Sequence, residues 1–413
     1  MRAFFISNRS TQVLLTQWFD PEPTYKGLVF AKELQQKGFE VEVLTGFPNY
    51  PGGKIYPGYK IQFYKKEVIE GVLVTRVPLY PSHDQRAIGR VLNYVSFAAS
   101  ALVYGVLRAK RPDVVYAYHP PLTVGLAASL IRLLRRVPVV YDIQDMWPDT
   151  LRATGMVSNS RVLDIVGSIC TMVYRSVDRI VVLSPGFRKL LVERGVPERK
   201  VDVIYNWCDE VSMGNPAGEV PKDFPGSESF TIVFAGNMGK AQALDGVLAA
   251  AGIVQKKAPE ICFVFIGGGV EVNNLKRLAH EKKLHNVRFF QPVPMAEIGG
   301  VLAKADALLV HLRKDPLFTI TIPSKTQAYM AVGKPLLMAV EGDVADLVKA
   351  AGCGVIAEPE NSESIADAAL KLFSLSSAER NAMAERSNEY YKSQLSLKVG
   401  VEKFAAIFIQ SAK

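Results

Sequence analysis

Short runs of β-branched and aromatic residues alternate with helical patterns along almost the whole chain. This alternation is typical of parallel sheets covered by helices, because a strand that is buried on both faces is apolar at nearly every position. The predicted strands of the first half are residues 13–16, 40–45, 72–77, 113–118, 137–141, 179–183 and 201–205. Those of the second half are residues 231–235, 261–266, 287–290, 306–311, 336–340 and 354–357. We therefore predict an α/β chain with two doubly wound, Rossmann-like sheets.

The length of the chain, 413 residues of which 49% are hydrophobic, is too great for one core and suits two or three domains. A polar stretch with several Pro and Gly residues, at 211–229, interrupts the alternation in the manner of an interdomain linker. The predicted domains are residues 1–210 and 230–385, facing each other. Residues 386–413 form a predicted helix that we expect to cross back to the first domain.

The net charge of +9 is concentrated in the first half, where 27 Lys and Arg stand against 19 Asp and Glu up to residue 210. Such a region suits nucleic acid, an anionic membrane surface or phosphorylated substrates, or it is a solvated surface with no partner. No DNA- or RNA-reading motif accompanies it, which disfavours nucleic acid. The apolar segment at 91–107 falls short of a spanning helix and is flanked by Arg, so it predicts either a core helix or a membrane-surface helix.

The four cysteines are far apart and have no metal-ligand or disulfide spacing. The five histidines do not cluster near them, so neither a zinc site nor a disulfide framework is expected. The apolar run at residues 4–6 is too short for a secretory signal, and we expect an intracellular protein.

A helix start that suits an anion lies at residues 323–335, PSKTQAYMAVGKP. Pro323 fits the first turn of a helix, and Ser324 and Lys325 add a hydroxyl and a cation there. The exposed amides and the positive end of the helix dipole favour phosphate. Gly333 then closes the helix. An ordinary cap on a core helix is the alternative for this segment.

Glycines follow two predicted strands of the second half, in company with an amide and a cation. These residues are Gly236, Asn237, Lys240, Gly267 and Gly268. Ligands of open α/β sheets bind outside the carboxyl ends of the strands, and absent side chains let a diphosphate approach the backbone. Any tight strand-to-helix turn also favours glycine. It is the combination of three phosphate-suited strand ends in one domain that indicates a nucleotide site.

The strand ends of the first half carry different chemistry. His119 ends one predicted strand, where an imidazole either binds a sugar hydroxyl or serves as a capped turn histidine. Asp142, Asp145 and Trp147 follow the next strand, and carboxylates beside an aromatic face suit carbohydrate. A packed tryptophan and a helix-capping Asp149 are the alternatives.

Five segments together resemble the GT-B glycosyltransferases of family 4, and the resemblance spans nearly the whole chain. They are DVVYAYHP at 113–120, VIYN at 203–206, FAGNMG at 234–239, FIGGG at 265–269 and the segment at 323–335. Within the family, the chain resembles bacterial O-antigen, capsule and exopolysaccharide enzymes, including N-acetylfucosaminyl transferases.

The resemblance implies a GT-B fold and a retaining transfer from a nucleotide-diphosphate sugar, usually UDP-linked, with no cofactor and no metal. The donor is expected on the second domain and the acceptor on the first. Residues expected near the donor nucleotide and diphosphate are Gly27, Gly236, Asn237, Lys240, Gly267, Gly268, Ser324 and Lys325. Those expected on the acceptor side are Asp145, Trp147 and Asn206. The catalytic residues are expected to be His119, which matches the family's active-site histidine, and Lys325, which would stabilise the leaving diphosphate.

Two departures from the family pattern are evident. The family's two glutamates would fall on Ile320 and Ala328, and neither carboxylate is present. The hydrogen bonds to the ribose and the sugar then come from elsewhere, or the donor differs, or activity is lost. The common Arg and Lys of the diphosphate site correspond to Asn237 and, nearby, Lys240, which leaves the register of the cation open.

The expected function is transfer of a sugar, such as an N-acetylamino or deoxyamino sugar, from a UDP-sugar to a saccharide or polyprenyl-diphosphate-linked acceptor (EC 2.4). The process would be surface polysaccharide biosynthesis. A cytoplasmic protein in peripheral contact with the inner face of the plasma membrane would suit such an acceptor. A UDP-sugar epimerase of similar shape and a catalytically silent nucleotide-binding protein are the alternatives.

Overall fold

The structure is a computed structural model, and it describes residues 10–82, 87–215 and 220–412. The described chain divides into two compact units. The first contains the residues up to Leu183, Phe187–Ile204 and those from Gly400 onward. The second contains Ser184–Gly186 and Tyr205–Val399.

In the described parts of the chain each unit has one β-sheet, and the strands follow the predicted positions closely except Lys65–Ile69, which was not predicted. The strands are β1 Thr11–Thr16, β2 Glu40–Gly46, β3 Lys65–Ile69, β4 Val72–Val77, β5 Val114–Tyr118, β6 Val139–Ile143, β7 Arg179–Val182, β8 Val201–Val203, β9 Phe230–Ala235, β10 Ile261–Ile266, β11 Val287–Phe290, β12 Ala307–His311, β13 Leu336–Ala339 and β14 Gly354–Ile356. The first sheet has the order β3-β4-β2-β1-β5-β6-β7-β8 and the second β11-β10-β9-β12-β13-β14. All pairings are parallel except that of β3 with β4.

Helices connect the parallel strands. They are α1 Leu28–Gln36, α2 Ala87–Leu107, α3 Leu122–Arg135, α4 Asp149–Ala153, α5 Ser160–Ser176, α6 Pro185–Glu193, α7 Glu210–Gly214, α8 Leu244–Lys257, α9 Val272–Glu281, α10 Met295–Leu302, α11 Pro316–Thr319, α12 Ser324–Val332, α13 Asp343–Ala351, α14 Ser362–Ser374, α15 Ser377–Tyr390 and α16 Leu397–Ser411. A π-helical turn, Tyr391–Leu395, separates the last two.

Both faces of the second sheet are buried. Along β9, Ile232 and Phe234 belong to one core cluster and Val233 belongs to the other. This is the arrangement that the continuous apolar runs predict, because each face of a parallel sheet is covered by helices. The described residues therefore form two α/β units of doubly wound type.

The observed boundaries differ in detail from the predicted ones. The chain passes from the first unit to the second after Ile204 rather than after residue 210. The predicted linker at 211–229 starts inside α7. Ser212 of α7 is buried, and a Cβ on Gly299 of α10 would lie 2.3 Å from its carbonyl oxygen. The small residues of α7 and α10 therefore permit close packing of these two helices.

The C-terminal helix divides in the same way. Residues up to Val399 stay with the second unit, and the first unit includes Gly400 onward. Phe404 and Phe408 of α16 pack edge-on against Tyr116 of β5, with ring centroids 5.4 and 5.6 Å apart. The aromatic contacts attach α16 to the first sheet.

A buried ion pair joins the loop before α1 to the centre of the first sheet. Lys26 and Asp142 are fully buried and form a salt bridge. The same carboxylate accepts hydrogen bonds from the Tyr116 hydroxyl at 2.5 Å and from the Gln144 amide at 2.7 Å. The Lys26 ammonium also lies 4.8 Å from the centre of the Phe404 ring. These contacts satisfy both charges inside the protein.

We expect Lys26→Met to lower the unfolding free energy by about 3–5 kcal/mol, because it leaves the Asp142 carboxylate buried without its cation. Lys26→Met/Asp142→Asn should recover part of the loss. Urea denaturation followed by tryptophan fluorescence measures the change. The matched control is Lys32→Met, whose exposed pair with Glu70 should contribute less than about 1 kcal/mol. Equal losses in the two single variants would contradict the expectation.

Candidate functional site

Two glycine turns are in contact at the carboxyl edge of the second sheet. Gly236 follows β9 with a φ of 129°, and Gly267 follows β10 with a φ of 140°. A Cβ on Gly267 would lie 2.1 Å from the carbonyl oxygen of Gly236. A Cβ on Gly269 would lie 2.4 Å from the carbonyl oxygen of Met238. The packing of the two turns therefore requires residues without side chains, and it leaves backbone exposed at this edge.

Helix α12 starts beside the first of these turns. Its first amides receive no side-chain cap, whereas the start of α15 is capped by Ser376. The hydroxyl of Tyr329 accepts a hydrogen bond from the Ala235 amide at 2.8 Å and donates one to the Ala235 carbonyl at 3.2 Å. These bonds fix α12 to the end of β9. The sequence analysis did not identify Tyr329, although it lies inside the motif at 323–335.

The side chain of Lys325 extends from the start of α12 to the glycine turn. Its Nζ lies 3.5 Å from the position of a Cβ on Gly236 and 3.5 Å from the centroid of the Phe234 ring. This Nζ is buried and has no hydrogen-bond partner among the residues that the structure describes. Burial lowers the pKa of Lys325 to about 7. A cation near a helix N terminus is also unfavourable, so the site is suited to an anion that would neutralise it.

The other residues predicted for the donor also lie in the second unit's turns. The Asn237 amide packs against Gly269, where a Cβ would lie 2.8 Å from Asn237 Oδ1. Gly268 accepts a backbone hydrogen bond from the β9 turn at 2.7 Å. Lys240 is exposed at the start of a 3-10 turn, and Ser324 is exposed at the first position of α12. Thus Gly236, Gly267 and Lys325 are in direct proximity, and Lys240 lies on the exposed side of the same connection.

His311, at the end of β12, was missed by sequence analysis. Its Nδ1 lies 2.6 Å from the carbonyl oxygen of Gln242, and its Nε2 accepts a hydrogen bond from the Glu360 amide at 3.0 Å. An imidazole that accepts at Nε2 and donates at Nδ1 is neutral, and burial lowers the pKa of His311 accordingly. His311 therefore connects the 3-10 turn to the loop after β14. The sequence feature that could have indicated His311 is its position as the single polar residue at the end of the apolar strand β12.

The positions of the family's absent glutamates contribute no polar side chain. Ala328 packs against the core cluster that contains Tyr329 and Met330. Ile320 follows α11, and its carbonyl oxygen accepts a hydrogen bond from the Ser184 hydroxyl at 2.5 Å. The departure from the family pattern is therefore accommodated by packing.

In the first unit, His119 follows β5 and is buried. Its amide donates to the Asp142 carbonyl at 3.0 Å, which places it at the carboxyl edge of the first sheet. The ring packs edge-on against Tyr141 and Trp147, at centroid distances of 5.9 and 5.6 Å. Its Nδ1 is buried with no partner in the described parts of the chain. Burial lowers the pKa of His119 to about 3, so the imidazole is neutral at physiological pH.

The structure groups the predicted acceptor-side residues only in part. Trp147 contacts His119, and the Trp147 amide donates to the Asp145 carbonyl at 3.0 Å. Burial raises the pKa of the Asp145 carboxyl. Asn206, by contrast, lies in the segment that begins the second unit. It therefore does not belong to the unit to which the prediction assigned it.

Gly27 also has a different environment from the predicted one. It is the N-cap of α1, and a Cβ there would lie 2.2 Å from the Asp20 carboxylate. The same carboxylate accepts a hydrogen bond from the Leu28 amide at 2.7 Å. A carboxylate of the chain thus stands where the prediction placed a phosphate. The structure favours a packing role for Gly27.

Two family models match successive parts of the chain. Residues 28–207 match the model described as glycosyl transferase 4-like domain. Residues 220–390 match the model described as glycosyl transferases group 1. The first match covers strands β2 to β8 but not β1, and the second covers β9 to β14.

Among curated relatives, WbjE from Pseudomonas aeruginosa, named as a probable glycosyltransferase, is 27% identical over 79% of this chain and 81% of its own. WcaI from Escherichia coli (strain K12), named as a colanic acid biosynthesis glycosyl transferase, is 27% identical over 80% of this chain and 84% of its own.

Among solved structures, HepE from Anabaena in complex with UDP-glucose superposes with a TM-score of 0.67. The alignment covers 97% of this chain and 100% of HepE at 13% sequence identity, which is evidence for a shared fold alone. The fold is GT-B. The two family models, which match residues 28–207 and 220–390, show that the chain belongs to the family 4, or group 1, glycosyltransferases.

Proposed function

We propose that this enzyme transfers a sugar from a UDP-sugar to a saccharide or polyprenyl-diphosphate-linked acceptor in surface polysaccharide biosynthesis, with retention of anomeric configuration. The named role of WcaI in colanic acid biosynthesis supports the process, and the UDP-glucose bound by HepE supports the donor class. The residues of this chain that support the proposal are those at the start of α12.

The observation that carries the proposal is the unpartnered ammonium of Lys325 at the uncapped start of α12. A diphosphate bound there would accept hydrogen bonds from the first amides of α12, and it would lie beside the exposed backbone of Gly236. The anion would also supply a countercharge to Lys325, which none of the described residues provides. These interactions strengthen as negative charge develops on the leaving group, which is the condition for lowering the barrier to reaction.

The chemical step breaks the bond between the anomeric carbon and the β-phosphate oxygen of the donor. It forms a bond from that carbon to the acceptor hydroxyl oxygen on the same face. The acceptor proton passes to the departing β-phosphate, so the products are UDP and the glycosylated acceptor. Under this proposal Lys325 and the amides of α12 stabilise the leaving group, and the reaction needs neither a metal ion nor a cofactor.

The proposal assigns the first unit to the acceptor and to the reacting sugar. His119 is neutral, so its role is to hold a hydroxyl by hydrogen bonding rather than to act as a cationic acid. Asp145 and the half-buried Trp147 supply a carboxylate and an aromatic face for sugar hydroxyls and C–H groups. Asn206 follows the first unit's Ile204 by two residues, and its place on the acceptor side stays a prediction.

The primary test is thermal unfolding of the purified protein with UDP, GDP, ADP or TDP. We expect UDP to raise the Tm, because a ligand that binds the native state stabilises it, and we expect the other nucleotides to have little effect. Lys325→Met should abolish the shift. Without nucleotide, the same variant should be more stable at pH 6 by about 2–3 kcal/mol, because it removes a buried charge.

The sign of that stability change follows from the lowered pKa of Lys325. The folded state disfavours the charged form, so the cost is largest below pH 7 and declines as the pH rises towards the value of an unfolded lysine. The stabilisation by Lys325→Met should therefore be smaller at pH 9 than at pH 6. Lys256→Met, at an exposed position of α8, is the control for loss of a surface charge. A UDP shift that survives in Lys325→Met would refute the diphosphate assignment.

A second prediction concerns the pH dependence of UDP affinity. Above pH 7 most of the free enzyme has a neutral Lys325, which must take up a proton to pair with the diphosphate. The Kd for UDP should therefore rise by up to about tenfold per pH unit between pH 7 and 9. Isothermal titration calorimetry measures this dependence. In Lys325→Arg the guanidinium stays charged, and the dependence should disappear. An identical pH profile in the wild type and the arginine variant would exclude Lys325 as the titrating group.

A third prediction separates His119 from nucleotide binding. His119→Ala and His119→Gln should retain the UDP-induced Tm shift, while turnover falls by about 100-fold or more because a contact to the reacting sugar is lost. The assay is UDP release from a panel of UDP-sugars, with a bacterial lipid extract as the source of acceptors. Since the imidazole is neutral, His119→Gln should leave the shape of the pH–rate profile unchanged, because any step near pH 7 comes from Lys325. Normal turnover in both variants would make His119 a packing residue.

A further inference from the structure

Helix α2 is buried on one side only, although nearly all of its residues are apolar. Its inner stripe contains Asn93, Phe97, Ala101 and Tyr104, which are buried against the first unit. The segment Ile88–Leu107 is long and apolar enough to cross a membrane by length and composition, but only 28% of an 18-residue apolar window within it is buried. A core helix would be buried all round. The outward side of α2 therefore presents apolar residues to solvent.

The exposed apolar residues continue beyond α2. Ile88 and Leu107 have exposed fractions of 75% and 71%, Leu133 at the end of α3 has 69%, and Phe63 in the loop before β3 has 89%. Further exposed apolar side chains on these two helices are Val91, Leu92, Val95, Val103, Leu130 and Leu134. A large contiguous apolar patch on a protein surface indicates a site of interaction.

The three segments meet around the C-terminal half of α2. The Tyr64 ring packs against Tyr104, with centroids 5.6 Å apart, which brings the Phe63 loop to one side of α2. The Arg135 guanidinium donates to the carbonyls of Val106 and Ala109, which brings the end of α3 to the other side. We call these exposed residues of α2, α3 and the Phe63 loop the apolar face.

Basic side chains lie beside the apolar face, at the ends of the segments that form it. Arg108, Lys110 and Arg111 follow α2, Arg136 follows α3, and Lys66 follows the Phe63 loop; all are exposed. The sequence contains no Asp or Glu between residues 87 and 112 or between 122 and 136. An apolar face with a cationic margin is complementary to a bilayer that contains anionic lipid, because acyl chains meet the first and headgroups meet the second.

Internal hydrogen bonds show that α2 lies on the surface of the unit rather than leaving it. The Asn93 amide donates to the Tyr80 carbonyl at 2.7 Å and to Asn49 Oδ1 at 3.2 Å, and its Oδ1 accepts a bond from Gln17. Insertion of α2 across a bilayer would break these buried bonds and expose Asn93 to lipid, which is unfavourable. An orientation parallel to the membrane plane keeps them intact.

We propose that the apolar face is a docking surface for an anionic phospholipid bilayer, with α2 parallel to the membrane and Phe63 inserted into the headgroup region. The surface is independent of the donor site, which lies in the second unit. Membrane binding is therefore measured with the apoprotein, without nucleotide or turnover, and its outcome does not depend on the proposed transfer reaction.

The test is co-flotation of the full chain with vesicles of phosphatidylcholine alone or of phosphatidylcholine and phosphatidylglycerol in equal parts. We expect flotation with the anionic vesicles and much less with the neutral ones, and we expect added salt to weaken it. Phe63→Ser and Leu133→Ser should each lower the partition coefficient by about tenfold. Lys110→Gln/Arg111→Gln should lower it by about 30-fold, because each cation near an anionic surface contributes about fivefold.

Matched controls come from the second unit. Val270→Ser removes an equally exposed apolar side chain, and Lys256→Gln/Lys257→Gln removes two exposed cations of α8. Both should float like the wild type. All substituted positions are exposed, so an unchanged circular dichroism spectrum and Tm are expected. Failure of the wild type to float with anionic vesicles would overturn the proposal. So would a concentration-dependent dimer that Phe63→Ser dissociates, since the face would then cover a second copy of the chain.

Discussion

The ammonium groups of Lys26 and Lys325 are both buried, but their surroundings differ in whether they supply a countercharge. Lys26 has its countercharge within the chain, because Asp142 lies beside it and Tyr116 and Gln144 satisfy the same carboxylate. Among the described residues, Lys325 Nζ has no hydrogen-bond partner and lies over the face of the Phe234 ring, at the positive end of a helix. Burial of a paired ion fixes structure, whereas burial of an unpaired one leaves free energy that an anionic ligand can recover. The first lysine organises its unit, and the second defines a binding site.

The site in the second unit depends on how the end of β9 is held. Strand β12 pairs with β9 at Ile232 and Val233 and does not reach Ala235. The Tyr329 hydroxyl instead forms hydrogen bonds with the amide and the carbonyl of Ala235. The strand can therefore turn away at Gly236, and the packing of Gly267 against that carbonyl fixes the turn. The backbone, the start of α12 and the ammonium of Lys325 are then arranged before any ligand arrives. Preorganisation of this kind is what makes electrostatic stabilisation of a leaving group effective.

Apolar periodicity was enough to predict the parallel strands of both sheets and the fold, because continuous apolar runs mark buried parallel strands. It failed for β3, whose polar, half-exposed residues pair at the edge of the first sheet. Motif reasoning grouped Gly236, Gly267 and Lys325 correctly in one unit. It could not foresee that Asp20 occupies the start of α1 beside Gly27, or that His311 connects two loops, because those contacts join residues that are distant in sequence.

Helix α2 shows why composition alone could not distinguish a core helix from a surface one. Its buried stripe includes the polar Asn93, which is satisfied by three hydrogen bonds, while its exposed stripe is apolar. In an ordinary amphipathic helix the apolar stripe faces the core and the polar stripe faces solvent. Helix α2 differs, because its solvent-facing stripe is apolar and its buried stripe contains a polar residue. Water is a poor solvent for the exposed stripe, and the Arg and Lys residues at its margin oppose self-association by repulsion. A lipid surface with negative headgroups would contact the apolar stripe through its acyl chains and the Arg and Lys residues through its headgroups. An enzyme attached in this way would meet a lipid-linked acceptor in two dimensions, which raises the effective concentration of the acceptor without any additional contact to it.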